Sequence, residues 1–441
     1  MAVRTSLRRE AGLLQVVMYG VGNIIGAGIY VLIGGAAGLA GSEIWLAFLI
    51  GAVVALFTGL SYAELASMYP KAASEYIYLG RAYGSRILSF STEWIMLITE
   101  IVAAATVSLG FAEYFQNVLV FSPLLIAAGL LIVLTIVAIL GIKDSLRINT
   151  ILSFVAIAGL FIVIIAGIPR LGSVDYAYSP NGMDGVVAAS ILVFFAYIGF
   201  DNMSNLSEET KRPERTIPRG LLIAVFVTTA VYLLVGLAAV SLVPWQDLAA
   251  SSAPLALAAS IAFGPVAYAV LTVAALLTTF NTALVLLITG SRIVYGMAKE
   301  RALPRALGKV SRKTGAPYAA SIAILFIALA ALSLGNIDII AKVTSFGSLL
   351  TFALVNLALL RLRRAAPHVK RPFRTPLSLG WVSIPALLGL VSCLALLTQF
   401  GWVSAALGML LPISGLAVYL LMKHAGLSSI DRRLLEREIK E

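Results

Sequence analysis

Apolar stretches of about 20 residues, the length a helix needs to cross the hydrocarbon core of a bilayer, follow one another along almost the whole chain. They fall at 12–35, 43–67, 88–116, 122–142, 148–168, 184–206, 218–243, 264–294, 318–335, 338–360, 379–399 and 402–422. The pattern predicts an all-α polytopic membrane protein with twelve transmembrane helices. Composition excludes the soluble alternative: only 12% of the 441 residues are charged and 60% are hydrophobic, whereas soluble domains carry about 25% charge. The apolar stretch at 247–262 is too short to span and reads as a re-entrant or interfacial helix.

The net charge of +11 raises the question of a nucleic-acid partner. The positions of the charges answer it. With an even number of spans, both termini share one side. If that side is cytoplasmic, every one of the 32 Lys and Arg residues except Arg170 and Lys342 falls on it. This is the positive-inside pattern. It explains the basic balance by topology, with a lipid bilayer as partner, no nucleic acid, and the cell membrane as location. The basic N-terminus ahead of an apolar run resembles a signal peptide, but lacks a clear cleavage site and reads as a retained first helix. Cys393 is the only cysteine, so no intrachain disulfide forms, and the two histidines lie in charged loops. No metal site and no organic cofactor is expected.

Two spans carry glycine near their middles: the first in GVGNIIGAGIY (20–30) and the sixth at Gly199 within FFAYIGFDNMSN. They lie five helices apart, as equivalent members of two five-helix halves. Glycine interruptions in corresponding helices point to a transport site. At Gly26-Ala27-Gly28, unwinding frees backbone N–H groups at the positive end of a half-helix, which suits a carboxylate. Close helix packing through small residues is the competing reading. In the sixth span, carbonyls freed beside Phe194, Phe195, Ala196 and Gly199 can accept hydrogen bonds from an ammonium group. Phe195 or Phe200 can close over a solute, though aromatics here also serve as ordinary core.

Acids at bilayer depth are costly and face the bundle interior. Glu93 and Glu100 are seven residues apart and share one helix face. Glu100 is the deeper, and is expected either to carry a coupling proton or to pair with a cationic side chain, with Thr99 competing for the position and a structural hydrogen bond as the bland alternative. Asp201 is expected at the end of the broken sixth helix. Lys342 is expected to snorkel outward. Glu64 and the Glu208-Glu209 pair are placed to form gate salt bridges with Lys71, Arg81 or Arg86.

Three stretches, GVGNIIGAGIYVL (20–32), LSYAELASMYPKAASEYIYLGRAYG (60–84) and FFAYIGFDNMSNLSEETKRPERTIPRG (194–220), with SRIVYGMAKERALP (291–304) as a fourth, resemble the amino acid–polyamine–organocation superfamily, especially its cationic amino acid transporter-like branch. The resemblance spans essentially the whole chain. It implies a LeuT-type fold, with residues 1–168 as a first inverted repeat, 169–360 as a second, and two further helices and a cytoplasmic tail over 361–441. It implies substrate binding by Ile25, Gly26, Ala27 and Gly28 for the carboxylate, and by Phe194, Phe195, Ala196 and Gly199 for the amine, with Phe195 as a lid. It also places a lysine in the fifth helix, where this chain has Ala156 and no lysine at all. Thr278, Thr279, Asn281 and Thr282 offer oxygen ligands for a sodium ion instead, although helix-to-helix hydrogen bonding is the favoured account of them.

The function expected is secondary active transport of an amino acid by alternating access, with a proton or sodium ion as the only coupling partner. Small side chains in the first break and large aromatics in the sixth favour a neutral amino acid, by proton symport or exchange. A cationic amino acid or polyamine is the alternative. A membrane enzyme or proton-translocating subunit would need chains of ionisable groups that the sequence lacks, and a channel would need a filter motif.

Overall fold

The computed structural model describes residues 9–116, 121–140, 142–311, 313–334 and 337–424. The predicted cytoplasmic tail beyond 424 and the first eight residues lie outside this set, as does the side chain of Ala27. The described residues are almost entirely helical because, in hydrocarbon, every backbone polar group must be satisfied within its own segment.

The helices are α1 (Leu13–Ile24), α2 (Ala27–Ala40), α3 (Ile44–Met68), α4 (Ser74–Tyr83), α5 (Arg86–Phe115), α6 (Pro123–Leu140), α7 (Ile142–Gly167), α8 (Gly182–Phe194) and α9 (Asn202–Asn205). They continue with α10 (Pro213–Leu242), α11 (Trp245–Ala250), α12 (Pro254–Phe263), α13 (Pro265–Lys299), α14 (Tyr318–Ala331), α15 (Ile337–Ala365), α16 (Ile384–Leu397) and α17 (Trp402–His424). A two-residue hairpin, β1 (Ser378–Leu379) and β2 (Val382–Ser383), sits between α15 and α16. Among the described residues, nine helical stretches are long and apolar enough to cross a membrane. The first of them, Leu13–Met68, comprises α1, α2 and α3. Three shorter apolar helices are α12, α14 and α16. The stretch predicted as one short helix at 247–262 is two, α11 and α12, packed on α2.

Helix α1 packs against α7, α10 and α13, and α2 packs against α8 and α11. The broken first span therefore lies at the centre of the bundle. Helix α17 is at the periphery, presenting Trp402, Leu421 and Ile413 outward, and Phe226 and Val266 are each 74% exposed. Such a belt of large apolar side chains suits lipid rather than water.

Candidate substrate site

The first span breaks at Ile25 and Gly26. Ile25 leaves helical geometry with ψ at 74°, and Gly26 follows at φ −127°, ψ −148°. The first amides of α2 then have no acceptor within their own helix. A Cβ on Gly26 would collide with the Thr282 hydroxyl of α13, so glycine lets the break lie directly on that helix. Gly22, one turn earlier, is equally tight against Ser153 and Asn281.

The second break runs from Phe195 to Asp201. After α8 comes a 3-10 turn (Phe195–Tyr197), then Ile198 in extended geometry, then Gly199 at φ +119°, a left-handed value that side chains rarely adopt. The Gly199 N–H donates to Asp201 Oδ1 at 3.1 Å. Asp201, expected at the end of the helix, thus lies in the break itself, fully buried. The carboxylate compensates an amide that no helix satisfies.

The two breaks meet. Gly28 lies against the Ala196 backbone so closely that a Cβ would overlap it. Asn23 Nδ2 donates to the Gly199 carbonyl at 3.2 Å. Tyr232 of α10 directs one hydroxyl at a carbonyl from each break, that of Ile24 and, at 3.1 Å, that of Ala196. Sequence reasoning missed Tyr232, because a tyrosine in an apolar run reads as core. Ile25, Gly26, Gly28, Ala196 and Gly199, all predicted site residues, are brought together, as is the Ala27 backbone that starts α2.

The aromatic residues divide. Phe194 and Phe200 both pack on Phe352 of α15, at ring separations of 6.2 and 5.0 Å, and Tyr62 stands edge-on to Phe200 at 5.8 Å. Phe195 joins no ring pair among the described residues and keeps 8% exposure beside Ala196.

Glu100 of α5 accepts a hydrogen bond from Asn202 Nδ2 at 3.1 Å, directly after Asp201, so the two predicted acids both lie at the Asp201–Asn202 end of the sixth-span break. Neither pairs with a cation among the described residues, and Glu100 Oε1 and Asp201 Oδ2 have no hydrogen-bond partner. Thr99, the competitor for this position, faces Gly347 of α15. Glu93 lies further along, its Oε2 accepting the Tyr76 N–H at 2.6 Å.

The oxygen donors of α13 are engaged within the protein. The hydroxyls of Thr278, Thr279 and Thr282 donate to carbonyls one turn back, at 2.6, 2.8 and 3.1 Å. Asn281 donates to the Gly22 carbonyl at 3.3 Å and accepts from Asn149 at 3.2 Å. Of these four, Asn281 joins α13 to α1 and α7, and the three threonine hydroxyls donate within α13 itself.

A second missed feature is a stripe on α15. Thr344, Ser345, Ser348 and Thr351 are buried with hydroxyls that have no partner. Their spacing in TSFGSLLT puts them on one helix face. That spacing was the available signal.

At the basic end of the bundle the acids pair differently from the prediction. Glu64 binds Arg363 and, at 3.2 Å, Arg371, not Lys71, Arg81 or Arg86. Glu209 pairs with Arg292 at 3.2 Å in a nearly solvent-free contact. Glu208 pairs with Lys299 at 2.8 Å, and Lys71 with Glu300 at 3.8 Å. The reason is topological: α3, α13 and α15 converge there, so partners come from distant sequence. The segment ahead of α1 joins them, since the Glu10 and Ala11 N–H groups both donate to the Glu209 carbonyl at 2.9 Å and Lys211 N–H donates to the Ala11 carbonyl at 2.9 Å.

Comparison with known proteins supplies the family. The amino acid permease family model matches residues 12–420. The chain is 31% identical to the branched-chain amino acid permease BcaP of Bacillus subtilis, over 96% of this chain and 95% of that protein. It is 29% identical to the methylthioribose transporter of Bacillus subtilis, over 84% and 85% of the two chains. It is 30% identical to the vacuolar cationic amino acid transporter 4 of Arabidopsis thaliana, over 82% of this chain and 64% of that protein. A match over nearly the full chain, on a bundle of apolar helices, makes this protein a multi-pass membrane transporter of the amino acid permease family, within the amino acid–polyamine–organocation superfamily.

Proposed function

We propose that this protein is a secondary active transporter of a neutral amino acid, and that the substrate binds where the breaks in the first and sixth spans meet. The observation that carries the reading is the convergence of the two breaks at Gly28 and Ala196, with Tyr232 reaching both. The first turn of α2 receives the substrate carboxylate on its free amides. The carbonyls of the sixth-span break receive the ammonium group, and Phe195 covers the side chain. The architecture is twelve spans with a LeuT-type inverted repeat, both termini cytoplasmic, in the cell membrane.

A neutral substrate fits because the breaks present mainly backbone groups and apolar or aromatic side chains, Glu100 and Asp201 each accepting one hydrogen bond there from Asn202 and Gly199. The similarity to a branched-chain amino acid permease supports a medium-sized apolar side chain. Coupling is by proton symport or by exchange, with Glu100 and Asp201 as the protonatable groups. Each keeps one buried oxygen without a partner, and each is bonded to the sixth-span break or the residue that follows it, so a proton there would act on the break. A sodium site at Thr278, Thr279, Asn281 and Thr282 is the less favoured reading, since the Asn281 amide oxygen already accepts from Asn149.

The test is uptake of a labelled amino acid panel into proteoliposomes under a pH gradient, a sodium gradient or preloaded unlabelled amino acid. Leucine, isoleucine or valine uptake driven by the pH gradient or by preloading is expected. Lysine uptake with those three ignored overturns the neutral reading. Unchanged pH dependence in Glu100→Gln removes Glu100 as the proton carrier.

A further inference from the structure

At the basic end of the bundle, between the end of α15 and the β1–β2 hairpin, lies an open pocket of about 460 Å³. Arg363, Arg371, Arg374 and Trp381 line it, with Pro367 and Val369. Within this set three guanidiniums meet one carboxylate, that of Glu64, which Arg363 and Arg371 share; three minus one leaves a net charge of +2. Arg374 is exposed and has neither ion pair nor hydrogen bond among the described residues. The cationic wall is also built rather than incidental. Arg363 is buried and held by Thr375 and Ser378, and Arg371 is pinned by the carbonyls of Val369 and Ala366 at 2.8 and 2.9 Å. Arg364 stacks over the Trp381 ring at 5.6 Å. The hairpin beside it turns Leu377 and Leu379 outward, 70% and 71% exposed.

We propose that this pocket binds a phosphate-bearing anion, held by the uncommitted guanidinium of Arg374 against the positive wall that Arg363 and Arg371 form, the N–H groups of Arg371 being already given to backbone carbonyls and Glu64. Arginine is the residue that recognises phosphate through paired N–H groups. A pocket of this size holds a phosphate ester. The exposed leucines and Trp381 beside it match the chemistry of a phospholipid, whose headgroup sits at the level of the arginines while its chains run along apolar surface. A soluble phosphate would use the same guanidiniums without the leucines. The location of the pocket at the inner membrane surface rests on the orientation proposed above; the binding does not. Because Arg371 also holds Glu64, occupancy acts on the contact between α3 and the segment that follows α15.

The experiment uses full-length protein in detergent micelles and reads retained lipid by native mass spectrometry and thermal stability in parallel. Phosphatidylglycerol, phosphatidylcholine and inorganic phosphate are the probes. Expected is preferential retention of phosphatidylglycerol, reduced at least fivefold in Arg374→Ala and unchanged in Arg215→Ala, an exposed arginine at the same end. Stabilisation by inorganic phosphate that Arg374→Ala abolishes, without lipid preference, supports the site and assigns it to a soluble anion. An equal loss in both variants means a diffuse basic surface and overturns the proposal. So does no dependence on Arg374 with either probe. All readouts are of binding, so their failure is separate from a failure to transport amino acids.

Discussion

Tyr30 directs its hydroxyl to the carbonyl of Ala156 at 2.9 Å, spanning from the first broken helix to the fifth span of the proposed topology. Ala156 is fully buried and Gly159, one turn on, also faces the Tyr30 hydroxyl. At the turn where the resemblance expects a lysine, the two helices are joined by this neutral hydrogen bond from Tyr30. Ala156→Lys should accumulate poorly, because it overpacks a closed site and buries an ammonium group. Adding Tyr30→Ala should restore accumulation by making room. Tyr30→Phe, which removes only the hydroxyl, should cost about 1 kcal/mol of stability. Expression level and thermal unfolding of purified protein check all three.

Gly28 is in helical geometry, where alanine would ordinarily gain about 0.5–1 kcal/mol. Here the added methyl meets the Ala196 backbone, and overpacking costs about 1–3 kcal/mol. The clash wins. Gly28→Ala should lower substrate uptake about tenfold or more with the protein still inserted, and Gly28→Val should abolish uptake. Comparing uptake with surface expression separates the two effects.

The buried pair Glu209–Arg292 ties the end of the sixth span to the end of α13. Removing one partner strands the other in a nearly dry site, a loss of about 3–5 kcal/mol. Glu209→Ala should therefore depress thermal stability sharply, while Glu209→Leu combined with Arg292→Met should recover most of it. A double variant as unstable as the single one would contradict the assignment.

Glu75, in the loop helix α4, is fully enclosed, bonded to Tyr62 at 2.7 Å and Ser74 at 2.6 Å. Burial pushes its carboxyl above the ordinary value of 4.5. The folded protein thus holds a proton that the unfolded chain releases, and stability is lost as pH rises above 4.5 toward the folded value. Glu75→Gln keeps a neutral group there at every pH. The variant's stability relative to the parent should grow as pH rises across that window, read as melting temperature in detergent at a series of pH values.

The hydroxyl stripe of α15 costs stability, since each unpartnered buried hydroxyl forgoes water without a substitute. Thr351→Val should leave thermal stability unchanged or raise it, and lower uptake if the stripe hydrates the substrate path. A fall in stability with unchanged uptake would make the residue structural.

Much of this was legible because hydrocarbon simplifies the problem. Apolar length marks the spans, and glycine marks the breaks: Gly26 and Gly199 both stand where the helix is interrupted. The partners across helices were not legible. Glu64 finds Arg363 across 299 positions of sequence, a pairing fixed by which helix ends converge rather than by local spacing. Tyr232 escaped notice for the same reason, since its role depends on two carbonyls contributed by other elements. Asp201 is expected at a helix end, where an acid helps the helix–loop transition; the structure uses it to satisfy the Gly199 amide within the break.

The backbone ladder between residues 10–11 and 209–211 has a thermodynamic consequence. Separating those ends requires peeling neutral amide bonds and dismantling the enclosed Glu209–Arg292 contact, neither of which mobile ions reach. Among the described ion pairs at this end, the exposed Lys299–Glu208 and Lys71–Glu300 pairs lie within the ionic atmosphere, and neither bridges the ladder itself. The opening of this end should therefore be governed by heat and by hydrogen-bonding cosolvents such as urea, and be nearly indifferent to ionic strength, although the surface around it is densely cationic.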